Sequence, residues 1–290
     1  MAVSTRRNFL KTGAAVSAYA LMATRRGEAL PFGLPLGLQL YSVRQELPKD
    51  YAGTLKKVAA LGYRDVEAAG FFGHSASDVK AAMTDAGLHC VSAHHSMDDL
   101  STKLDEILDF HKTLGAEYIV CSYPGHKNPP AKGAEHSFSL EDWRWNAEQF
   151  NHYGEKVKAA GFRFGYHNHT PEFVVVEGVT PYDELMRLTD PALVTFEMDC
   201  GWVMVGGGDP VALLKKYSNR VSMLHVKDFQ PGVNPPHAAQ LGHGRIDYRP
   251  IFAAAKKGQI KHYFVEQEEF DIPWQEALRI DADYLKSIKA

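Results

Sequence analysis

Val194-Thr195-Phe196-Glu197-Met198-Asp199-Cys200-Gly201-Trp202 is an apolar run of strand length that ends abruptly in ionisable residues. Three other runs share its design: Phe162-Arg163-Phe164-Gly165-Tyr166-His167-Asn168-His169, Val221-Ser222-Met223-Leu224-His225-Val226-Lys227-Asp228 and Lys261-His262-Tyr263-Phe264-Val265-Glu266-Gln267-Glu268. Together they set Asp, His, Glu and His at the ends of four strands. Such a donor set suits a divalent metal ion. Glu197, by the two-residue period of a strand, lies on the same side as Asp199, beside the site.

Outward from these runs the chain repeats one unit: short strand, polar loop, amphipathic helix, glycine. Strands are expected at Leu36 to Leu40, Tyr63 to Glu67, His89 to His94, Glu117 to Ser122, Arg163 to His167, Val194 to Asp199, Val221 to Val226 and Lys261 to Glu266. Helical patterns fill the gaps, among them Tyr51 to Leu61, Met97 to Leu114, Leu140 to Ala160, Pro210 to Lys216 and Trp274 to Lys289. Gly62, Gly87, Gly115, Gly161 and Gly258 follow helices where a left-handed cap turns the chain back into a sheet. Eight such units make an α/β protein, a (β/α)8 TIM barrel in a single domain, of the usual ~250 residues. In that fold the strand C-termini share one face, which also receives Gln39, Tyr41, Glu67, His94, His95 and Tyr123. The long loops Pro124 to His136 and Gln230 to Gly244 overhang the same face.

Composition excludes several classes. With 45% hydrophobic and 23% charged residues and a net charge of -3, the 290-residue chain can bury a large core and offers no basic stripe for nucleic acid. No apolar run reaches the ~18 residues of a membrane span. Residues 1-30 read as a twin-arginine signal peptide and short linker: Ser4-Thr5-Arg6-Arg7-Asn8-Phe9-Leu10-Lys11 precedes a small-residue stretch, Thr12 to Ala23. The expectation is export to the periplasm, with the barrel occupying 31-290. Cys90, Cys121 and Cys200 lack metal or redox spacing and read as buried thiols.

The motifs resemble those of the xylose isomerase-like TIM barrels, the sugar phosphate isomerase/epimerase superfamily. The resemblance rests on Gly37-Leu38-Gln39-Leu40-Tyr41-Ser42-Val43-Arg44, Tyr166-His167-Asn168-His169, Asp199-Cys200-Gly201-Trp202 with Gly208-Asp209-Pro210, His225-Val226-Lys227-Asp228, Leu241 to Asp247, and Val265-Glu266-Gln267. It implies one divalent metal ion, Mn, Mg, Zn or Co, held by Glu, Asp, His and Glu. Asp199, His225 and Glu266 match three of these positions. At the fourth this chain has His167, with Glu172 a few residues on. Hard divalent ions prefer oxygen, which favours Glu172 as the ligand over His167.

The activity this implies is that of a metal-dependent sugar isomerase or epimerase, moving a proton next to a carbonyl of a keto-sugar or polyol. Catalytic roles fall to His167, Glu172 and Glu266, and substrate contacts to Gln39, Tyr41, His94, His169, Trp202 and Lys227. A metal-dependent lyase or hydrolase on 3-keto-glycosides, or a non-catalytic sugar-binding barrel, stays open as an alternative. So do structural roles: Asp199 as a helix cap, His225 as a core histidine, Trp202 as core packing, Lys227 and Asp228 as a loop ion pair. The expected partner is a small carbohydrate, with no nucleic acid and no membrane span in the mature chain. The sequence leaves a homo-oligomer open.

Overall fold

The computed structural model describes residues 30–129, 137–256 and 258–288. The expected leader lies outside the described residues, as do part of the Pro124 to His136 loop, Lys257 and the last two residues of the chain. Eight parallel strands close into a barrel: β1 (Gly37–Gln39), β2 (Asp65–Ala68), β3 (His89–His95), β4 (Tyr118–Cys121), β5 (Arg163–His167), β6 (Val194–Asp199), β7 (Val221–Val226) and β10 (His262–Val265). Two short antiparallel strands, β8 (Asp228–Phe229) and β9 (Ala238–Ala239), form a hairpin in the long loop after β7.

The strand order β1-β10-β7-β6-β5-β4-β3-β2 follows the chain around the ring, as a right-handed β-helix-β repeat demands. The helices are α1 (Tyr51–Ala60), α2 (Ala76–Ala86), α3 (Met97–Leu114), α4 (Leu140–Ala159), α5 (Pro181–Leu188), α6 (Cys200–Val205), α7 (Pro210–Lys216), α8 (Tyr248–Ala254) and α9 (Trp274–Ser287). Their starts are written in short polar residues: Ser75, Ser96 and Ser139 each accept a backbone N–H of the first turn, and Ser139 forms a capping box with Asp142. Gly87 and Gly115 close α2 and α3 in the left-handed region, and Gly62, Gly161 and Gly258 also carry positive φ. The glycine repeat therefore marked real strand approaches.

Inside the barrel an apolar plug of Val91, Tyr118, Val120, Met223 and Phe264 fills the middle. Gly165 gives this layer room, since a Cβ there would stand 3.2 Å from Val120 and 3.5 Å from Met223. The plug closes the barrel to water and becomes the base on which the polar residues above it rest. The three cysteines are free and buried. Among the described residues no helix is long and apolar enough to cross a membrane.

Candidate metal centre and active site

Strand register brings the ionisable residues together. Asp199 on β6 lies opposite His225 on β7, and His167 on β5 lies opposite Glu197 on β6. Two register shifts refine their aim. Val66 faces Cys90 and Glu67 faces Ser92, so Val91 is an extra residue on β3; Phe196 faces Val221 and Glu197 faces Met223, so Ser222 is an extra residue on β7. Each bulge lies below a histidine of the site, His94 or His225, and re-aims the strand end toward the axis.

The result is a buried floor of carboxylates and imidazoles. His94 Nε2 lies 2.9 Å from Glu67 Oε1 and 2.8 Å from Glu197 Oε2. His225 Nε2 is 2.8 Å from Glu67 Oε1 and 3.2 Å from Glu197 Oε2, while its Nδ1 is 3.1 Å from Glu266 Oε2. His167 Nδ1 lies 3.0 Å from Glu197 Oε2. Lys227 Nζ reaches Glu266 at 2.9 Å and Asp199 at 3.4 Å, contacts Glu268, and stands 4.7 Å above the Trp202 ring. Lys227 thus pairs with site carboxylates, whereas Asp228 accepts the N–H groups of Gly244, Arg245 and Ile246 and fastens the loop beneath the hairpin.

Proton affinities follow from this crowding. Burial disfavours a charged His225, yet Glu197, Glu266 and Glu67 around it hold its pKa well above the usual imidazole value. Burial likewise opposes the charge on His94, but Glu67 and Glu197 raise its pKa to about 9. For His167 burial wins, aided by repulsion from His225, and the ring is held neutral. Burial also raises the Asp199 carboxyl, against the attraction of Lys227 and His225. Four buried carboxylates therefore share one lysine and two imidazolium rings, an arrangement that is costly without a further cation.

The atoms fit such a cation. One ligand atom each from His167, Asp199, His225 and Glu266 lies within 4.8 Å of the others, and His94, His167, Glu197 and His225 form a second such group. Asp199 Oδ2 and Glu197 Oε1 are buried without a hydrogen-bond partner among the described residues. Asp199 Oδ2 faces Lys227 Nζ at 3.4 Å without a hydrogen bond, so each group keeps a carboxylate oxygen with room to accept a positive ligand. Two imidazole nitrogens with two carboxylate oxygens suit Zn, Mn or Co.

Glu172 stands apart from both groups. It sits in a single 3-10 turn, Pro171–Phe173, with its carboxylate bound by the Tyr166 hydroxyl and, at 3.1 Å, by the His169 N–H. Burial pushes its pKa up to about 7. The structure gathers His167, and not Glu172, with Asp199, His225 and Glu266, because Tyr166 draws the Glu172 side chain away from the axis. Gln39 is buried and spends its amide on Glu67 at 2.7 Å and on the Tyr41 N–H. Tyr41 is on the rim under Arg44. His169 packs at 4.9 Å from the His167 ring and 5.9 Å from that of Trp202, and burial, then Lys227, lowers its pKa to about 3. Asp199 also caps α6 through the Trp202 N–H, so its structural and site roles coexist. His95 points to the helices, with Nε2 3.0 Å from His111 Nε2.

Comparison with known proteins agrees with this fold. The profile of the family described as Xylose isomerase-like TIM barrel matches residues 55–288. The inosose dehydratase of Clostridium perfringens is 28% identical over 244 residues, covering 75% of this chain and 82% of that protein. A sugar phosphate isomerase/epimerase structure from Parabacteroides distasonis superposes with a TM-score of 0.72 at 28% identity, over 92% of this chain and 97% of its own. The IOLI protein, solved with a zinc atom, gives a TM-score of 0.67 over 89% of this chain and 100% of its own; at 13% identity this shows the fold alone.

Proposed function

The chain belongs to the xylose isomerase-like TIM barrel family, and from that premise we propose that it is a metal-dependent lyase on a polyhydroxylated ketone. It takes a proton from the carbon beside the carbonyl and expels an oxygen from the next carbon. The observation that carries this is the convergence of His167, Asp199, His225 and Glu266, with Asp199 Oδ2 buried without a hydrogen bond among the described residues. A divalent ion bound there would polarise the carbonyl and neighbouring hydroxyl oxygens of the substrate.

The protein's own groups divide the proton work. Among the residues of these two clusters, His94 and Glu266 keep the most side-chain exposure, 13% and 8%. A Glu266 carboxylate oxygen receives the proton from carbon, the carbon–carbon double bond forms, and the departing oxygen takes its electron pair and a proton from His94 Nε2. His94 suits an acid, because Glu67 and Glu197 keep it protonated near neutral pH. Gln39 and Ser92 hold Glu67 in place, and Lys227 orients Glu266. The dehydratase named among the relatives performs an elimination of this type by its name.

A second outcome shares the first step: the proton returns to the neighbouring carbon and the sugar is isomerised, in keeping with the isomerase/epimerase named among the similar structures. Two-carboxylate epimerisation is less well served, since Glu172 is turned toward Tyr166. Incubation of the metal-loaded enzyme with ketocyclitols, 3-keto-glycosides and ketoses in D2O separates the outcomes. An enone absorbance, from a product that keeps no hydrogen on the carbon that lost its proton, supports elimination; deuterium on carbon in a new ketose or epimer supports isomerisation. Neither enone formation nor deuterium incorporation with any substrate sinks both. The twin-arginine reading places this chemistry in the periplasm, which cell fractionation of the tagged chain tests.

A further inference from the structure

Six large apolar side chains are exposed among the described residues, and every one follows a barrel strand at the same mouth. They are Tyr41 after β1, Phe72 after β2, Tyr123 after β4, Val174 and Val175 after β5, and Val233 after β7. Single exposed apolar residues are ordinary, but their confinement to the mouth above the polar floor is not. On one side the apolar rim is continuous with the floor. The ring of His167 lies 4.9 Å from His169, and His169 lies 5.3 Å from Tyr123, whose side chain is 45% exposed. Trp202 flanks His169 and packs 5.0 Å from Phe229. The ring nitrogens His169 Nδ1 and Trp202 Nε1 are buried with no hydrogen-bond partner among the described residues. An aromatic wall with unpaired polar atoms near its foot matches a ligand that is polar at one end and aromatic at the other.

We propose that the substrate is an amphiphile, a keto-sugar carrying an aromatic aglycone, with the sugar on the polar floor and the aglycone along Tyr123. The inference rests on the lyase reading above and names its leaving group. The proton leaves the carbon between the carbonyl and the glycosidic carbon, the double bond forms between those two carbons, and the glycosidic C–O bond breaks. The aryl oxygen keeps the electron pair and is protonated, giving a phenol and an unsaturated keto-sugar.

Calorimetry on the full-length, metal-loaded protein with phenyl β-D-glucopyranoside and methyl β-D-glucopyranoside tests this without turnover. The phenyl glycoside should bind about tenfold more tightly or better, from stacking on Tyr123. Tyr123→Ala should bring the two within about twofold of each other, and Tyr123→Phe should keep the preference, metal content being measured in each variant. Equal affinities, or no binding of either glycoside by protein that retains its metal, would overturn the aglycone proposal and leave the metal centre standing. Protein that takes up no metal would instead remove the lyase reading, and the aglycone proposal with it. Sedimentation adds one more outcome: a dimer that Val175→Lys dissociates, with no phenyl preference, would make the rim a contact between two copies of the chain and overturn the proposal.

Discussion

The two ends of the barrel are both polar inside, yet they are built on opposite principles. At the N-terminal end Asp65 meets His262 at 3.0 Å and His89 at 3.6 Å, and Thr195 meets Ser222 at 2.7 Å. One carboxylate is matched by two imidazoles, and no side-chain atom of this group is left buried without a partner. At the C-terminal end four carboxylates crowd two imidazolium rings and one lysine; Glu197 Oε1 is buried without a hydrogen-bond partner among the described residues, and Asp199 Oδ2 faces Lys227 Nζ at 3.4 Å without a hydrogen bond. Between them lies the apolar plug. A polar cluster that satisfies itself serves the fold, while one that carries surplus negative charge in a dry place is held for a ligand.

The sharpest break between the two ends should be in activity. His225→Ala should lower turnover on the order of a thousandfold, because it removes a ligand and uncovers Glu266 and Glu67. His262→Ala, the matching deletion at the other end, should leave turnover within about twofold. Next in size is Glu67→Gln, which keeps shape but weakens the partner of His94 and His225; metal affinity by competition with a chelator should fall about 10–100-fold. At the closed end Asp65→Asn should cost about 1–3 kcal/mol in urea unfolding and leave metal content intact.

The pH dependence of stability refines the contrast. The Asp65 hydrogen bond raises the His89 pKa, so that contribution is full below the ordinary imidazole value and is lost as pH rises past it. Burial opposes the Asp65 charge, but the hydrogen bonds from His262 and His89 lower its pKa, so its contribution is lost as pH falls through the acid range. The closed end is therefore strongest in between, at about pH 4–6.5. Behind β3, burial outweighs the pull of Asp99 on His95, and it lowers the pKa values of the pair His95 and His111 to about 4 and about 3. Both rings bind fewer protons folded than unfolded, so this pair destabilises the fold progressively as pH falls below about 6.5. The smallest expected effect is a shallower acid loss of the urea midpoint in His111→Leu than in the parent.

Much of this was legible in the sequence because strand ends in a parallel barrel have only one destination. Asp199, His225, Glu266 and Lys227 reach the mouth as the period-two reading of their strands requires, Trp202 stands there in α6, and the glycines after the helices marked the repeat. The choice between His167 and Glu172 was not legible. It depends on a 3-10 turn and on the Tyr166 hydroxyl, which reaches Glu172 from the other face of β5. Glu67 was visible at a strand end and Glu197 on the side of Asp199, but their place at the centre of the floor depends on the bulges at Val91 and Ser222. A bulge leaves no apolar period to read; Val91 and His94, three residues apart and both inside, were its one trace.

The most direct test of the surplus-charge idea is elemental analysis of the purified full-length protein, prepared without chelator or metal-affinity resin, beside Asp199→Ala, His225→Ala and Asp65→Asn. About one equivalent of a divalent metal in the parent and in Asp65→Asn, lost from the other two, is the expected result. No metal in the parent after incubation with Zn, Mn, Co and Mg in turn, or equal metal in all four proteins, would contradict it.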